Sequence, residues 1–306
     1  TRCLSDWSSD VCSSDLKMRL KPGIAFSTIK KLDIQKEKIG TLANTILDRV
    51  EGNHISLVAS QGFVQYATAD LSDKILKYLN CETYPLVDSY IGSSTVNDRQ
   101  YKIYGGLGDL QAALIGANLG SGADLVINLG TGSQVAMISQ DSDGDLRPLN
   151  RNEWVKVITH IPSGRALNVI AEIVEPNRFW DTWANLTVTD ILNQSSNQVD
   201  LNCFEGSWLY KSKGESGLIY LKESQTIQEF VASVASSWLN QYSLAIDSID
   251  KNGTSKNVVL SGGLANRSPF AIEYFRYKDK NRLYNCIETI TGETTLDGLI
   301  KFAERI

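Results

Sequence analysis

An α/β fold is predicted by two patterns that alternate along the chain. Short β-branched, apolar runs are followed by longer segments in which apolar residues recur every three or four positions. Three of the apolar runs meet glycine-rich turns, at Gly105-Gly106-Leu107-Gly108, Gly130-Thr131-Gly132-Ser133 and Gly262-Gly263. The 306 residues are 42% hydrophobic and 21% charged, which is material for one large or two ordinary domains at roughly 150 residues each.

The first sixteen residues, TRCLSDWSSDVCSSDL, carry repeated Ser-Asp dipeptides and no helical or strand period. They lack the basic start and apolar run of a secretory signal. They resemble translated adapter read-through at the edge of an assembled reading frame; the alternative is a flexible Ser/Asp-rich tail. On the first reading the chain is expected to be truncated at its N-terminal side.

Beyond that tail, Ile34, Ile39, Leu42, Ile46, Leu47 and Val50 predict a helix over 31–51, stopped by Gly52. Residues 54–59 read as a strand and 70–80 as a second helix, with a loop through Pro85 and Gly92. A strand is predicted over 101–104. Asp109 then opens a helix over 110–119, terminated by the glycines at 120 and 122. Apolar runs at 125–129 and 134–138 flank the turn at 130–133 and predict a β-hairpin. Helices are expected at 170–174 and 185–192 around Phe179, Trp180 and Trp183, and a long one over 227–249. A strand at 257–260 precedes Ser261-Gly262-Gly263, and Ser268-Pro269 reads as the start of another helix.

Several function classes are excluded or disfavoured. A net charge of -5 argues against a dedicated nucleic-acid or anionic-membrane surface. No run of about 18 apolar residues marks a membrane span. The five cysteines are odd in number and scattered, with no C-x-x-C pair, so a reducing, cytoplasmic setting fits best. His54 and His160 are the two histidines and read as structural or surface groups; H-E-x-x-H zinc chemistry is absent. Trp154, Trp180, Trp183 and Trp208 either stack on a ligand or pack in the core, packing being the plainer role. The acidic run 141–145 reads as a solvated hairpin tip.

Glycine turns let backbone N–H groups converge on an anion; each alone is equally a tight turn. The P-loop string is absent, and Gly130-Thr131-Gly132 lacks the third glycine of a dinucleotide fingerprint and runs into a strand. An NAD-dependent enzyme is thereby disfavoured. Asp109 is placed to cap a helix or to serve as a proton acceptor.

Taken in order, GGLGDLQAALIGANL, DLVINLGTGSQVAMIS and VVLSGGLANRSPF resemble the FGGY carbohydrate kinases of the actin–hexokinase superfamily. The Leu-Gly-Asp-Leu-Gln variant is most similar to sedoheptulokinase-type members. The resemblance implies an actin-like, ribonuclease H-like ATPase fold with a nearly complete C-terminal half (123–306) and a remnant of the N-terminal, sugar-binding half (17–122), residues 1–16 being extraneous. It implies transfer of the γ-phosphoryl of ATP to a hydroxyl of a ketose or polyol. By match to the family's motifs, Asp109 is the catalytic base and, with Gln111, contacts the sugar. Gly130, Thr131, Gly132 and Ser133 hold the ATP phosphates, and Gly262, Gly263, Asn266 and Gly164 face the adenosine. Mg²⁺ is implied as cofactor, but the family's early D-x-G-T/S segment is missing from the sequence, so its ligands are expected in an absent N-terminal region. The implied partners are ATP and a small sugar, with a homodimer allowed. Whether the chain phosphorylates a sugar by itself stays open, the alternative being a non-catalytic nucleotide- or sugar-binding module or pseudokinase.

Because residues 1–16 offer no periodic apolar face, their deletion is expected to leave thermal stability unchanged. Differential scanning calorimetry checks this: a loss of more than about 4 °C, near 1 kcal/mol for a domain of this size, would mean that the segment packs.

Overall fold

A computed structural model of the chain describes residues 90–104, 107–139, 146–149, 153–194, 199–201, 223–278 and 284–305, apart from 105–106 and similar short gaps between them. It also describes Lys77, Asn80 and four two-residue strands: β1 (Lys38–Ile39), β2 (Val64–Gln65), β3 (Asp70–Leu71) and β4 (Glu82–Thr83). The tail 1–16, the strand expected at 54–59, His54, Trp208 and the run 141–145 lie outside the described residues. The chain divides into two compact units, Thr1–Ala112 with Ser139–Val155 and Gly298–Ile306, and Ala113–Ile138 with Lys156–Asp297.

In the first unit the short strands correct two expectations. Lys38–Ile39 pair in parallel with Glu82–Thr83 inside the segment expected to be helical over 31–51. Asp70–Leu71 pair antiparallel with Val64–Gln65 where the helix over 70–80 was to start. Cross-strand pairing here overrides a local helical period. β5 (Tyr90–Val96) and β6 (Arg99–Tyr104) form an antiparallel hairpin. Its two-residue turn, Asn97-Asp98, has φ of 49° and 61°, the pattern that matches the twist of the flanking strands. Gly92, expected in a loop, sits in β5 where the register slips between Tyr90 and Gly92; the glycine marks a bulge. β9 (Leu146–Pro148) continues towards the start of β10 (Trp154–Pro162), joined by Leu149 N–H to Glu153 O at 2.8 Å.

Helix α1 (Asp109–Gly116) crosses from the first unit into the second. It ends earlier than 119 and is not closed by the glycines at 120 and 122. Asn118, at φ 60°, stops it: Leu119 N–H reaches Leu114 O and Asn118 N–H reaches Ile115 O, both at 3.0 Å. This is the paired Schellman pattern with asparagine in the left-handed position.

The second unit is built on a sheet whose order runs β12-β11-β7-β8-β10, with β7 (Leu125–Asn128), β8 (Gly132–Ser139), β11 (Asn257–Ser261) and β12 (Cys286–Thr289). β11 pairs in parallel with both neighbours, and β7 with β8 antiparallel, Asn128 opposite Gln134. The expected hairpin is present. Sharing one apolar core with the sheet are α2 (Gly164–Val174), α3 (Pro176–Ala184), α4 (Val188–Leu192), α5 (Ile227–Ile249), α6 (Gly263–Arg267) and α7 (Phe270–Lys278); α8 (Thr294–Arg305) follows β12.

The long helix α5 has the bounds its apolar period predicts. A capping box opens it: Thr226 Oγ1 accepts Glu229 N–H at 3.2 Å and Glu229 accepts Thr226 N–H at 2.8 Å. Its buried face is wider than the predicted stripe, since Ser233, Ser236, Ser237 and Gln241 are buried while Ile227 and Phe230 are only half-buried. Trp238 and Tyr242 on α5 join Trp183, Phe179 and Phe270 in an aromatic cluster with ring centroids 5.3–5.8 Å apart. The tryptophan cluster is itself helical, in α3. The helix expected over 185–192 therefore shortens to α4, because Asn185 terminates α3 and Thr187 caps anew. Pro176 at the first position of α3 is the local signal for that helix. Ser268 stands before α7 as expected, and its hydroxyl accepts the Trp183 indole N–H at 3.1 Å. No helix among the described residues is long and apolar enough to cross a membrane.

Asp250 closes α5, accepting Thr254 N–H at 2.8 Å, the Thr254 hydroxyl at 3.0 Å and Ser255 N–H at 3.1 Å. Burial opposes its charge, but those hydrogen bonds outweigh burial and hold the carboxyl below the ordinary 3.8. A depressed folded-state pKa contributes stability above the unfolded value that is lost as pH falls through the folded one. Chemical denaturation is expected to show stability dropping below about pH 4, with Asp250→Asn flattening part of that slope. At Asn118, replacement by alanine should cost about 1 kcal/mol, the penalty of a left-handed side chain, while glycine should be neutral or mildly stabilising.

Candidate functional site

Leu125, Val126 and Ile127 of β7 are buried, and the strand delivers the chain through buried Leu129 to a turn at half-buried Gly130 and exposed Thr131 before β8 returns. Two helices start against this turn. Gly164 N–H donates to Gly130 O and Arg165 N–H to Thr131 O, each at 3.1 Å. Leu264 N–H donates to Leu129 O at 2.9 Å, and Leu129 N–H to Ser261 O at 2.7 Å. The hairpin carbonyls thus satisfy N–H groups that every helix start leaves unpaired.

These contacts need glycine at two places. A Cβ on Gly164 would stand 3.1 Å from Gly130 O and 3.4 Å from Leu264 Cδ1. Gly262 has φ 93°, and its Cβ would meet Leu129 O at 2.7 Å. At Gly132 and Gly263 a Cβ would meet nothing within 4 Å, so these two border open space.

Gly263, with Gly130, Thr131 and Gly164, lines a cleft of about 340 Å³ within the second unit. Gly130, Thr131, Gly164 and Gly263 form its backbone-rich part, and Asn168, Trp180, Leu264 and Arg267 its side-chain part. Asn168 stands four residues after Gly164 on α2, and Arg267 four after Gly263 on α6, so each polar group lies one turn above a glycine. Arg267 is the charged residue of this lining. Trp180 is half-buried and fixed by edge contacts to Phe179 (5.1 Å, 87°) and Trp183 (5.8 Å, 67°).

Beneath the turn, Gly130 N–H donates to Ser133 Oγ at 3.1 Å. Tyr242, fully buried, donates its hydroxyl to Ser163 Oγ at 3.0 Å, and burial pushes its phenol far above the usual range. Ser163 Oγ also accepts the Trp238 indole N–H at 3.1 Å.

Of the residues singled out from sequence, Gly130, Thr131, Gly164 and Gly263 meet in the cleft. Ser133 is buried under the turn, Gly132 is exposed beside it, and Gly262 stands behind it against Leu129. Asn266 is exposed on α6, next to the lining residue Arg267. Asp109 lies in the first unit, exposed at the start of α1, with Oδ1 accepting Leu110 N–H at 2.7 Å. Gln111, two residues on, is buried. His160 is exposed at φ 64°, bonded to Thr159 Oγ1 through Nδ1 at 2.8 Å. Sequence reasoning missed Asn168 and Arg267, each four residues after a glycine at a helix start. Among the described residues no group of three or more His, Cys, Asp or Glu could hold a metal ion.

The chain has the actin-like α/β fold of the carbohydrate kinases. Xylulose kinase from Rhodospirillum rubrum superposes with a TM-score of 0.75 at 12% identity, over 100% of this chain and 70% of that one. Ligand-bound xylulose kinase from Lactobacillus acidophilus gives 0.66 at 16% identity, over 87% and 58% of the two chains. Plasmodium falciparum glycerol kinase with ADP gives 0.63 at 13% identity, over 86% and 57%. The chain thus spans less than three-fifths of the length of the latter two. No protein-family model and no curated protein matches it by sequence.

The two glycine environments separate stability from binding. Gly262→Ala should destabilise by about 1–3 kcal/mol through strain and overlap with Leu129. Gly132→Ala, entering open space, should stay within about 0.5 kcal/mol of the parent. Urea denaturation of both variants checks the contrast.

Proposed function

We propose that the chain serves ATP-dependent phosphorylation of a small sugar or polyol, with the nucleotide held in the cleft of the second unit. The observation that carries this reading is the cleft itself: three glycines strip side chains from one part, while an aromatic ring and a cation stand in the other. Trp180 and Leu264 offer apolar contact to a purine, Asn168 offers donors and acceptors to base or ribose, and Arg267 offers charge to a phosphate. Gly130, Thr131 and Gly132 form the phosphate turn, Ser133 acting from below through the Gly130 N–H. Gly262, Gly263, Gly164 and Asn266 belong to the adenosine side in this reading.

In the sugar-binding part, residues 17–122, Asp109 accepts the proton of the attacking hydroxyl as its oxygen bonds to the γ-phosphorus and ADP departs. The bond from Leu110 N–H engages one carboxylate oxygen, and a carboxylate has two. Gln111 assists sugar binding. The sequence Leu107-Gly108-Asp109-Leu110-Gln111 supports a ketose of the sedoheptulose type. Mg²⁺ neutralises phosphate charge in such reactions; the described residues offer it no ligand cluster, and no step here is routed through it. A cytoplasmic site of action fits the cysteine usage.

Calorimetric titration of the chain with AMP-PNP tests the nucleotide assignment. Binding is expected in the parent and a loss of at least tenfold in Gly132→Val, whose side chain enters the open space beside the turn. An absence of heat in the parent, or equal affinity in a folded variant, overturns it. For any chain carrying this sequence that turns over a ketose, Asp109→Asn should lower kcat by roughly 10²–10⁴ with little change in KM for ATP. A near-parental rate would leave Asp109 as a helix cap, since asparagine caps about as well.

A further inference from the structure

Asn168 and Arg267 line the cleft from two different helices, each one turn after a glycine at a helix start. Both are exposed, and among the described residues neither side chain is engaged in a hydrogen bond or an ion pair. No described residue therefore fixes which end of the Asn168 amide is offered to a ligand. Trp180 and Leu264 give contact to any flat base and read no edge of it. Thr131 sits on the turn assigned to the phosphates, and its hydroxyl both donates and accepts. The choice between bases falls to the amide and the guanidinium.

An uncommitted amide does not tell adenine from guanine. Adenine presents a donor, its 6-amino group, beside a ring-nitrogen acceptor; guanine presents an acceptor, O6, beside the N1–H donor. Asn168 carries one acceptor oxygen and one donor nitrogen, and a half-turn about its last torsion, a soft rotation, exchanges them. Arg267 only donates. Turned to a phosphate it is blind to the base; turned to the base it pairs with O6 and N7 of guanine, whereas adenine sets a second donor against it. Neither use favours adenine. At the start of α6 a Cβ on Gly263 would meet nothing within 4 Å, so the backbone there leaves room for the 2-amino group that guanine carries and adenine lacks. A carboxylate would select guanine strongly by accepting from N1–H and the 2-amino group together, and none stands among the described lining residues.

We propose that the cleft is a purine nucleotide site that does not select adenine: it binds guanosine triphosphate as well as adenosine triphosphate, with Asn168 matching either base by turning its amide. The inference rests on the nucleotide reading above and widens the class of ligand that reading assigns to the cleft.

Calorimetric titration of the whole chain with AMP-PNP and with GMP-PNP tests this. The two affinities should lie within about fivefold of each other, less than one well-made base contact discriminates. A wider gap in either direction overturns the proposal and leaves the nucleotide reading standing. Asn168→Asp then tests the residue. It replaces the amide donor by a second acceptor, so GMP-PNP should bind the variant at least about fivefold more tightly than AMP-PNP. Losses of equal size for the two nucleotides overturn the part given to Asn168. The comparison on the parent needs no variant, so a variant that fails to fold leaves the main decision in hand. An absence of heat with both nucleotides in the parent removes the nucleotide reading and this inference together.

Discussion

The geometry of the second unit depends on one arrangement: the carbonyls of a single hairpin turn cap the starts of two helices. Leu129 O serves α6, and Gly130 O and Thr131 O serve α2. Each bond is modest in net free energy, about 1 kcal/mol, but leaving a buried helix-start N–H unpaired costs more than forming the bond gains. The hairpin and both helices are therefore fixed relative to one another. Gly164 and Gly262 are consequences of that closeness, since a side chain at either would collide with the hairpin backbone. The cleft is the space left where three backbones converge without side chains.

Holding backbones that close requires a rigid base, and the aromatic cluster supplies it. Trp183, Trp238 and Tyr242 are almost wholly buried and meet at edge or tilted angles. Such contacts bury large area with defined geometry. Their polar tips are directed, not merely tolerated: Trp183 bonds Ser268 before α7, and Trp238 bonds Ser163 before α2. The core thereby reaches the starts of two helices through side chains that would otherwise cap them.

Periodicity and punctuation carried the second unit in the sequence. The bounds of α5, the hairpin around residues 130–133 and the strand before Gly262-Gly263 all follow from apolar spacing and glycine. The first unit was less legible because two-residue strands depend on distant partners: nothing near Lys38–Ile39 announces pairing with Glu82–Thr83. Helix ends failed where a residue other than glycine took the left-handed position, as Asn118 does. In the cleft, glycines were legible because they are exceptional residues. Asn168 and Arg267 were not, because a single polar residue on a helix looks like any solvated position until a cleft is placed beside it.

Glu175 gives this reasoning its last step. It joins α2 to α3 at φ 119° and ψ 114°, a conformation that favours glycine and costs an ordinary residue about 1–3 kcal/mol. Glycine would relax the backbone but remove a carboxylate that accepts Asn177 N–H at 3.0 Å and Arg178 N–H at 2.7 Å. Those bonds close the start of α3, and acidic groups are favoured at a helix N-terminus. The joint therefore trades backbone strain for a sharp, capped turn between two helices. One of those helices brings Gly164 and Asn168 to the cleft, and the other brings Trp180. A relaxed linker of the same length would let α3 drift along α2. The strained one holds α3, and with it Trp180, on the cleft that Gly164 and Asn168 also line, so backbone geometry governs the side-chain part of the cleft as it governs the backbone part.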